Sequence, residues 1–333
     1  MALPKIYIGP ISKNCIDSVI ELNNEGFNIG LIPSRRQIDY DKGYVNNWTT
    51  REFSNYVKSR NPNIIIKRDH CGPDQGKIKD NGLDSAIYDV KENFDIIHID
   101  PWKTYKDIND AAIATKNIIK ECVIYNKNIN FEIGTEEGIR KYSPEEFKYF
   151  IEKLFGLLSL DEFNLIKYGV VQGGTRLSMN KNIGNFNEEK IKDFIAICKN
   201  FSLMSKEHNG DYLKLSDIKR KFDLGLNAIN IAPEMGFIES TCILEQIKLV
   251  SDNETFKKLF NKCLQSGQWK KWIPLEKQNK IIEEKNELLI KISGHYIYSS
   301  DIVIDIKKKY PELDSRIKLS IKNRIKSILC KIK

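Results

Sequence analysis

A chain of 333 residues with 41% hydrophobic content can bury one barrel-sized core or two smaller ones. Its formal charge of +8 is spread through Lys-rich segments and concentrated after Ile302. Without aromatic–basic interleaving or a known module, that tail reads as a solvated helical face, so no nucleic-acid partner is expected, while overall basicity suits an anionic substrate. Seven scattered cysteines with no CxxC pair read as reduced thiols, and no apolar run is long enough for a bilayer. The expectation is a cytoplasmic protein with no membrane partner.

Apolar strands and helix-period segments alternate eight times. KIYIG (5–9) precedes an amphipathic stretch over 14–25, and FNIGLIP (27–33) precedes a helix opened by the Thr49/Glu52 capping box. NIIIKRD (63–69), with three consecutive isoleucines, reads as a strand buried on both faces, followed by a helix near 83–92. FDIIHID (94–100) leads to a helix near 107–126, and INFEIG (129–134) to one with Pro144 in its first turn and a Ser143/Glu146 box. LIKYGVVQ (165–172), FSLMSKE (201–207) and NAINIAP (227–233) precede helices near 187–199, 215–224 and 236–250. This rhythm predicts an α/β fold, a (β/α)8 TIM barrel over residues 1–252. A helical extension over 253–333 is expected to pack on it through Trp269 and Trp272. A doubly wound open sheet has the same periodicity and is the alternative.

Ionisable and polar residues gather where each strand stops, the end at which ligands bind in such folds. The second strand runs into Ser34, Arg35, Arg36 and Gln37, and the third into Asp69 and His70. The fourth carries His98 and Asp100, and the fifth Glu132 and Glu136. The sixth ends in Gln172 and Gly173, the seventh in Lys206, His208, Asn209 and Asp211, and the eighth contains Asn230. Three of the four histidines fall at these ends; the fourth is His295. Two imidazoles and a carboxylate from different strands can converge on one divalent cation, with Zn first and Mn, Fe or Co as alternatives. His98 shares a strand face with Asp100 and could be an outer residue oriented by it.

The run IPSRRQIDYDKGYVNNWTTREF, then DHCGPDQG, IIHIDPW, FEIGTEEG, YGVVQGG, KEHNGDYL and GLNAINIAPEMGF, resembles the tagatose-bisphosphate aldolase accessory-subunit family and related metal-dependent ketose and tagaturonate epimerases. A more distant likeness is to class II ketose-bisphosphate aldolases. The resemblance covers about residues 27–240, with an echo at GHYIYS (294–299). It implies Asp69 and Glu132 as catalytic carboxylates, and His70, Glu132 and His208 as metal ligands. Gln172 stands where the aldolases place another histidine, which removes one ligand. Arg35 and Arg36 replace small neutral residues and would clamp a phosphate, carboxylate or diphosphate. Ser34, Gln37, His98, Asp100, Gln172, Gly173, Lys206, Asn209, Asp211 and Asn230 complete the candidate substrate-binding set.

The activity so implied is a metal-dependent epimerase acting on a ketose phosphate or related anionic sugar, by retro-aldol or enediolate chemistry. The alternatives are an aldolase, or a non-catalytic subunit supporting a separate class II aldolase; a homo-oligomer or such an aldolase would then be the protein partner.

Overall fold

A computed structural model describes residues 2–332. Its eight parallel barrel strands are Ile6–Ile8, Ile29–Leu31, Lys67–Cys71, Ile96–Ile99, Asn130–Ile133, Ile166–Val171, Met204–Glu207 and Ala228–Ile231. Each pairs with its chain neighbour from the third strand to the eighth; the eighth pairs with the first and the first with the second. The remaining seam is bridged at Leu31–Ile66 and Ser34–Asp69. There the Leu31 N–H donates to Ile65 O and the Asp69 N–H to Pro33 O, both at 2.9 Å. The ring is therefore a nearly closed (β/α)8 barrel rather than an open sheet.

Helices Lys13–Asn24, Thr50–Lys58, Leu83–Lys91, Ile108–Tyr125, Pro144–Leu157, Glu188–Asn200, Leu215–Asp223 and Pro233–Leu249 follow the strands in turn. Both expected capping boxes form, at Thr49/Glu52 and Ser143/Glu146. A third box, Ser159/Glu162, opens a one-turn helix at Leu160–Phe163, and a small antiparallel hairpin joins Leu177–Ser178 to Lys181–Asn182. Neither was expected from periodicity, because both are too short to show a period.

The third strand departs from the sequence reading. Its paired segment is Lys67–Cys71, and the isoleucine run only leads into it. The strand thus begins later than expected and runs past Asp69 to include His70 and Cys71. Side chains of a regular strand alternate between faces, so consecutive residues cannot share one. Here the register against the fourth strand shifts between Arg68 and Cys71, and His70 takes a φ of 45°. This irregularity turns both Asp69 and His70 toward the barrel mouth, as bulges beside active sites do.

Alternation elsewhere stacks the barrel interior in layers. Tyr7, Ile32, Ile96, Tyr168 and Ala228 form an apolar cluster inside the barrel, with the Tyr7 and Tyr168 hydroxyls 3.1 Å apart. Against it stand Lys67, Glu132 and Lys206, all fully buried. Toward the strand C-termini come Asp69, His70, His98 and His208.

Arg68 faces outward instead. Its guanidinium holds Asp89 through two bonds of 2.5 Å and donates to the carbonyls of Ile38 (2.6 Å) and Pro33 (3.1 Å). Arg68 and Asp89 are both fully buried, so loss of one partner strands the other. Arg68→Ala is expected to destabilise the fold by about 3–5 kcal/mol, read as a shift in the midpoint of chemical denaturation.

After Asp252 the chain is helical: Asn253–Ser266, Leu275–Glu283, Glu287–Ser293, Asp301–Lys309 and Leu313–Lys331, with single turns at Gln268–Lys271 and Gly294–Ile297. The last helix buries Ile317, Ile321, Ile325 and Ile328, a stripe at helical spacing. It is tied to the barrel by Asn14–Asp314 (2.6 Å) and Arg324–Glu234 (2.7 Å). These helices share one continuous hydrophobic core with the barrel helices. Trp269 is buried in it, whereas Trp272 reaches the barrel mouth. Among the described residues no helix is long and apolar enough to cross a membrane, and all seven cysteines are free thiols.

Candidate active site

Asp69, His70, His98 and His208 each offer one donor atom, and these four atoms lie within 4.8 Å of one another. Asp69 is central. Its Oδ1 is 3.5 Å from His98 Nδ1 and 3.6 Å from His208 Nδ1, and its Oδ2 is 3.7 Å from His70 Nε2. Oδ1 is buried without a hydrogen-bond partner, an arrangement that costs free energy unless something binds there.

The imidazoles are held from behind. His70 Nδ1–H donates to Asp100 Oδ2 at 2.7 Å, and that oxygen also accepts from Thr135 Oγ1 at 3.0 Å. His208 Nε2–H donates to Glu132 Oε1 at 2.8 Å. His98 Nε2–H donates to the Gly134 carbonyl at 3.0 Å. Each outer bond fixes a tautomer and directs the remaining nitrogen toward Asp69, the arrangement typical of metal-ligating histidines. His98 Nδ1 also accepts the His70 backbone N–H at 3.1 Å, so its lone pair is shared. Three nitrogens and one carboxylate oxygen suit Zn, Mn, Fe or Co, and the orphaned Asp69 oxygen fits the same role.

Charge follows from this packing. Burial opposes ionisation of Asp69, but the imidazoles, His70 foremost, outweigh it and hold the carboxyl far below its usual range. Burial lowers His208 and His98, which stay neutral. It would lower His70 too, but Asp69, Asp100 and Glu136 raise that imidazole to about 10. A cation bound here would take the place of that proton.

Asp69, His70 and His208 form part of the wall of a cavity of about 500 Å³ at the strand C-termini, with His98 buried behind them. Of the sequence candidates, Ser34, Arg36, Gln37, Asp69, His70, His208, Asn209, Asp211 and Asn230 line it. The others do not. Glu132, expected as a metal ligand and catalytic group, is engaged behind the cluster: one oxygen accepts from His208 and the other pairs with Lys67 and, at 3.5 Å, Lys206. Lys206, expected to touch substrate, is sealed in this inner layer, where burial drives it down to about 7 and Lys67 further below the usual ammonium range.

Asp100 orients His70 and not His98. Gln172 spends its amide on the Tyr142 N–H and the Thr135 and Arg140 carbonyls. The third imidazole of the cluster comes from His98, on the fourth strand. Gly173 donates its N–H to Glu207 Oε1, and a Cβ there would meet that oxygen at 2.6 Å.

No protein-family model and no curated protein matches the sequence. Among solved structures, 98% of the chain superposes on 100% of a probable tagatose 6 phosphate kinase from Sinorhizobium meliloti 1021, with a TM-score of 0.74 and 13% identity. Fructuronate-tagaturonate epimerase UxaE from Cohnella laeviribosi is matched over 99% of this chain and 81% of that one, at a TM-score of 0.63 and 11% identity. Fructose-bisphosphate aldolase from Campylobacter jejuni is matched over 99% and 91%, at a TM-score of 0.60 and 14% identity. The likeness is one of fold. These neighbours are of the kinds that the motif order resembles.

Several cavity residues were given no role in the sequence reading. Glu136, named there only as a carboxylate at the end of the fifth strand, lies 3.9 Å from His70 Nε2 and accepts from Asn209 Nδ2 at 2.7 Å; burial, then Asp69 and Asp100, raise its carboxyl despite His70. Lys103 and Lys106 come from the loop after the fourth strand; Lys271, His295 and Tyr296 come from the C-terminal extension, where no strand-end rule applies.

The two arginines separate. Arg35 is buried and binds Asp39 at 2.9 Å and both Asp80 oxygens at 2.6–2.7 Å, so it shapes the loop; Arg36 is exposed on the cavity wall without a carboxylate partner. Arg35→Ala is expected to lower stability by about 3–5 kcal/mol. Arg36→Ala should leave the denaturation midpoint in place and raise KM for an anionic substrate about tenfold, a charge-assisted contact of ~1.5 kcal/mol.

Proposed function

We propose that the protein is a metal-dependent epimerase of an anionic ketose. The observation that carries this is the Asp69–His70–His98–His208 cluster, three of whose members line a cavity rimmed by Arg36, Lys103, Lys106 and Lys271. His70, His208 and His98, with Asp69, would hold a divalent cation, which supplies Lewis-acid polarisation of a sugar carbonyl and its neighbouring hydroxyl. The fold likeness to an epimerase and an aldolase supports the same chemistry without choosing between them.

The chain's own residues supply the rest. Asp69 and Glu136 are carboxylates 3.7 and 3.9 Å from His70 Nε2, both reaching the cavity. One can take a hydroxyl or carbon-bound proton while the other returns one, as inversion at a sugar carbon requires. Glu136, raised by burial, is suited to carry a proton, whereas Asp69 is held ionised by the imidazoles around it. Asn209 fixes the Glu136 carboxylate. The cationic rim favours entry of an anion.

The test is a panel of ketose phosphates and ketouronates incubated with the purified protein in deuterated water and followed by NMR. Interconversion of two epimers is the expected result. Solvent deuterium on carbon would mark proton abstraction, and its absence a retro-aldol route. Release of free aldehyde and ketone products without epimer would make the protein an aldolase, and no turnover of any member would overturn the catalytic reading.

A further inference from the structure

The C-terminal extension does more than cover barrel helices. Its two single turns carry Lys271, Trp272, His295 and Tyr296 into the cavity that holds the metal-ligand cluster. They meet the loop after the second strand: Tyr44 packs against Tyr296 with ring centroids 4.9 Å apart and against His295 at 5.9 Å, and Ser299 Oγ donates to Tyr44 O at 3.2 Å. That loop carries Arg36, whose backbone carbonyl accepts the Tyr44 N–H at 3.1 Å.

Two observations set this wall apart. Arg36, Lys271 and Lys103 line one cavity with no carboxylate within 4.0 Å, and yet they are near enough to repel; enclosure in the cavity mouth and then the Arg36 charge lower Lys271 to about 8. Beside them are buried polar groups with no partner at all. His295 is 2% exposed with Nδ1 unsatisfied, Asn230 is 6% exposed with both amide atoms unsatisfied, and Trp272 Nε1 is likewise free. Native proteins seldom leave so many buried polar atoms unmet at one place unless a ligand meets them. Confronted cations and unmet neutral hydrogen-bonding groups together describe a cradle for a multiply charged oxyanion.

We infer that the extension completes a phosphate subsite, in which Arg36 and Lys271 neutralise the dianion while His295 and Asn230 hydrogen-bond its oxygens. This deepens the epimerase reading and rests on it for the identity of the whole substrate, a sugar phosphate. A phosphate monoester carries close to two negative charges at neutral pH and matches two unpaired cations, whereas a carboxylate would leave one uncompensated. Burial and then Lys271 push His295 down to about 3, so its imidazole is neutral and available to donate or accept. Lys271 and His295 thus come from a segment separate in sequence from the strand ends that supply Arg36, Asn230 and the metal-ligand cluster.

Calorimetric titration of inorganic phosphate into the full chain as purified, with acetate at matched ionic strength as the comparison, tests the subsite. Phosphate should bind saturably and at least tenfold tighter than acetate. Lys271→Gln and Arg36→Gln should each weaken it tenfold or more, Lys271→Arg should recover most of the loss, and His208→Ala should leave it unchanged. Absence of saturable binding, equal affinity for acetate, or indifference to Lys271→Gln would overturn the inference. Loss of phosphate binding in His208→Ala would also overturn it, by placing the anion on the cluster. A chain that binds phosphate as expected but turns over no ketose would keep the subsite and remove the epimerase reading.

Discussion

Glu136→Gln is expected to slow turnover by about 10²–10⁴-fold while leaving bound metal unchanged, the usual contribution of a positioned acid–base group. Glutamine keeps the oxygen that accepts from Asn209 Nδ2, so the side chain should stay in place. It loses only the capacity to give or take a proton. Asp69→Asn should cost as much turnover, but with a second effect. The Asp69 oxygens stand 3.5–3.7 Å from all three imidazoles, so this substitution should also loosen the metal. Single-turnover rates measured beside metal content separate the two. If Glu136→Gln retained full activity, the proton-transfer role would belong elsewhere in the cavity.

The second large effect is a gradient in metal affinity. His208→Ala deletes a donor and should abolish retention of metal through gel filtration. Glu132→Gln removes only the support behind that donor, and a glutamine carbonyl can still accept the Nε2–H of His208. Loss of about 10–100-fold in affinity, read by competition with a chelator, is expected for such an outer partner. Glu132→Gln also takes from Lys67 and Lys206 the carboxylate oxygen that they share in a sealed layer, so a fall in stability should accompany it. If Glu132→Gln cost as much metal as His208→Ala, Glu132 would be acting as a ligand.

The barrel was legible because each strand and its helix announce themselves by period, and because Ser, Thr and Pro mark the helix starts. What periodicity misplaces is the third strand. Three isoleucines draw the expected strand back to Asn63, yet the ladder to the fourth strand begins at Lys67 and runs on to Cys71, with Lys67 and Arg68 finding buried partners in Glu132 and Asp89. The bulge that makes neighbours Asp69 and His70 face one cavity leaves no trace in a period-two pattern. His98 was visible as a strand-end histidine, but its place in the cluster depends on Gly134 lying across the barrel wall. The choice between Arg35 and Arg36 depended on Asp39 and Asp80, the latter forty-five residues away. Lys271 and His295 were beyond reach, because nothing local says that an appended helix will reach over a barrel mouth.

The central claim is that this cluster is a metal centre. Elemental analysis of the full chain, purified and then equilibrated with Zn, Mn, Fe or Co before gel filtration, addresses it directly. The account predicts close to one equivalent of one of these ions per chain in the wild-type protein and close to none in His208→Ala or His70→Ala of unchanged fold. A wild-type chain that retains none of the four ions, or a His208→Ala chain that retains the same equivalent, would contradict it.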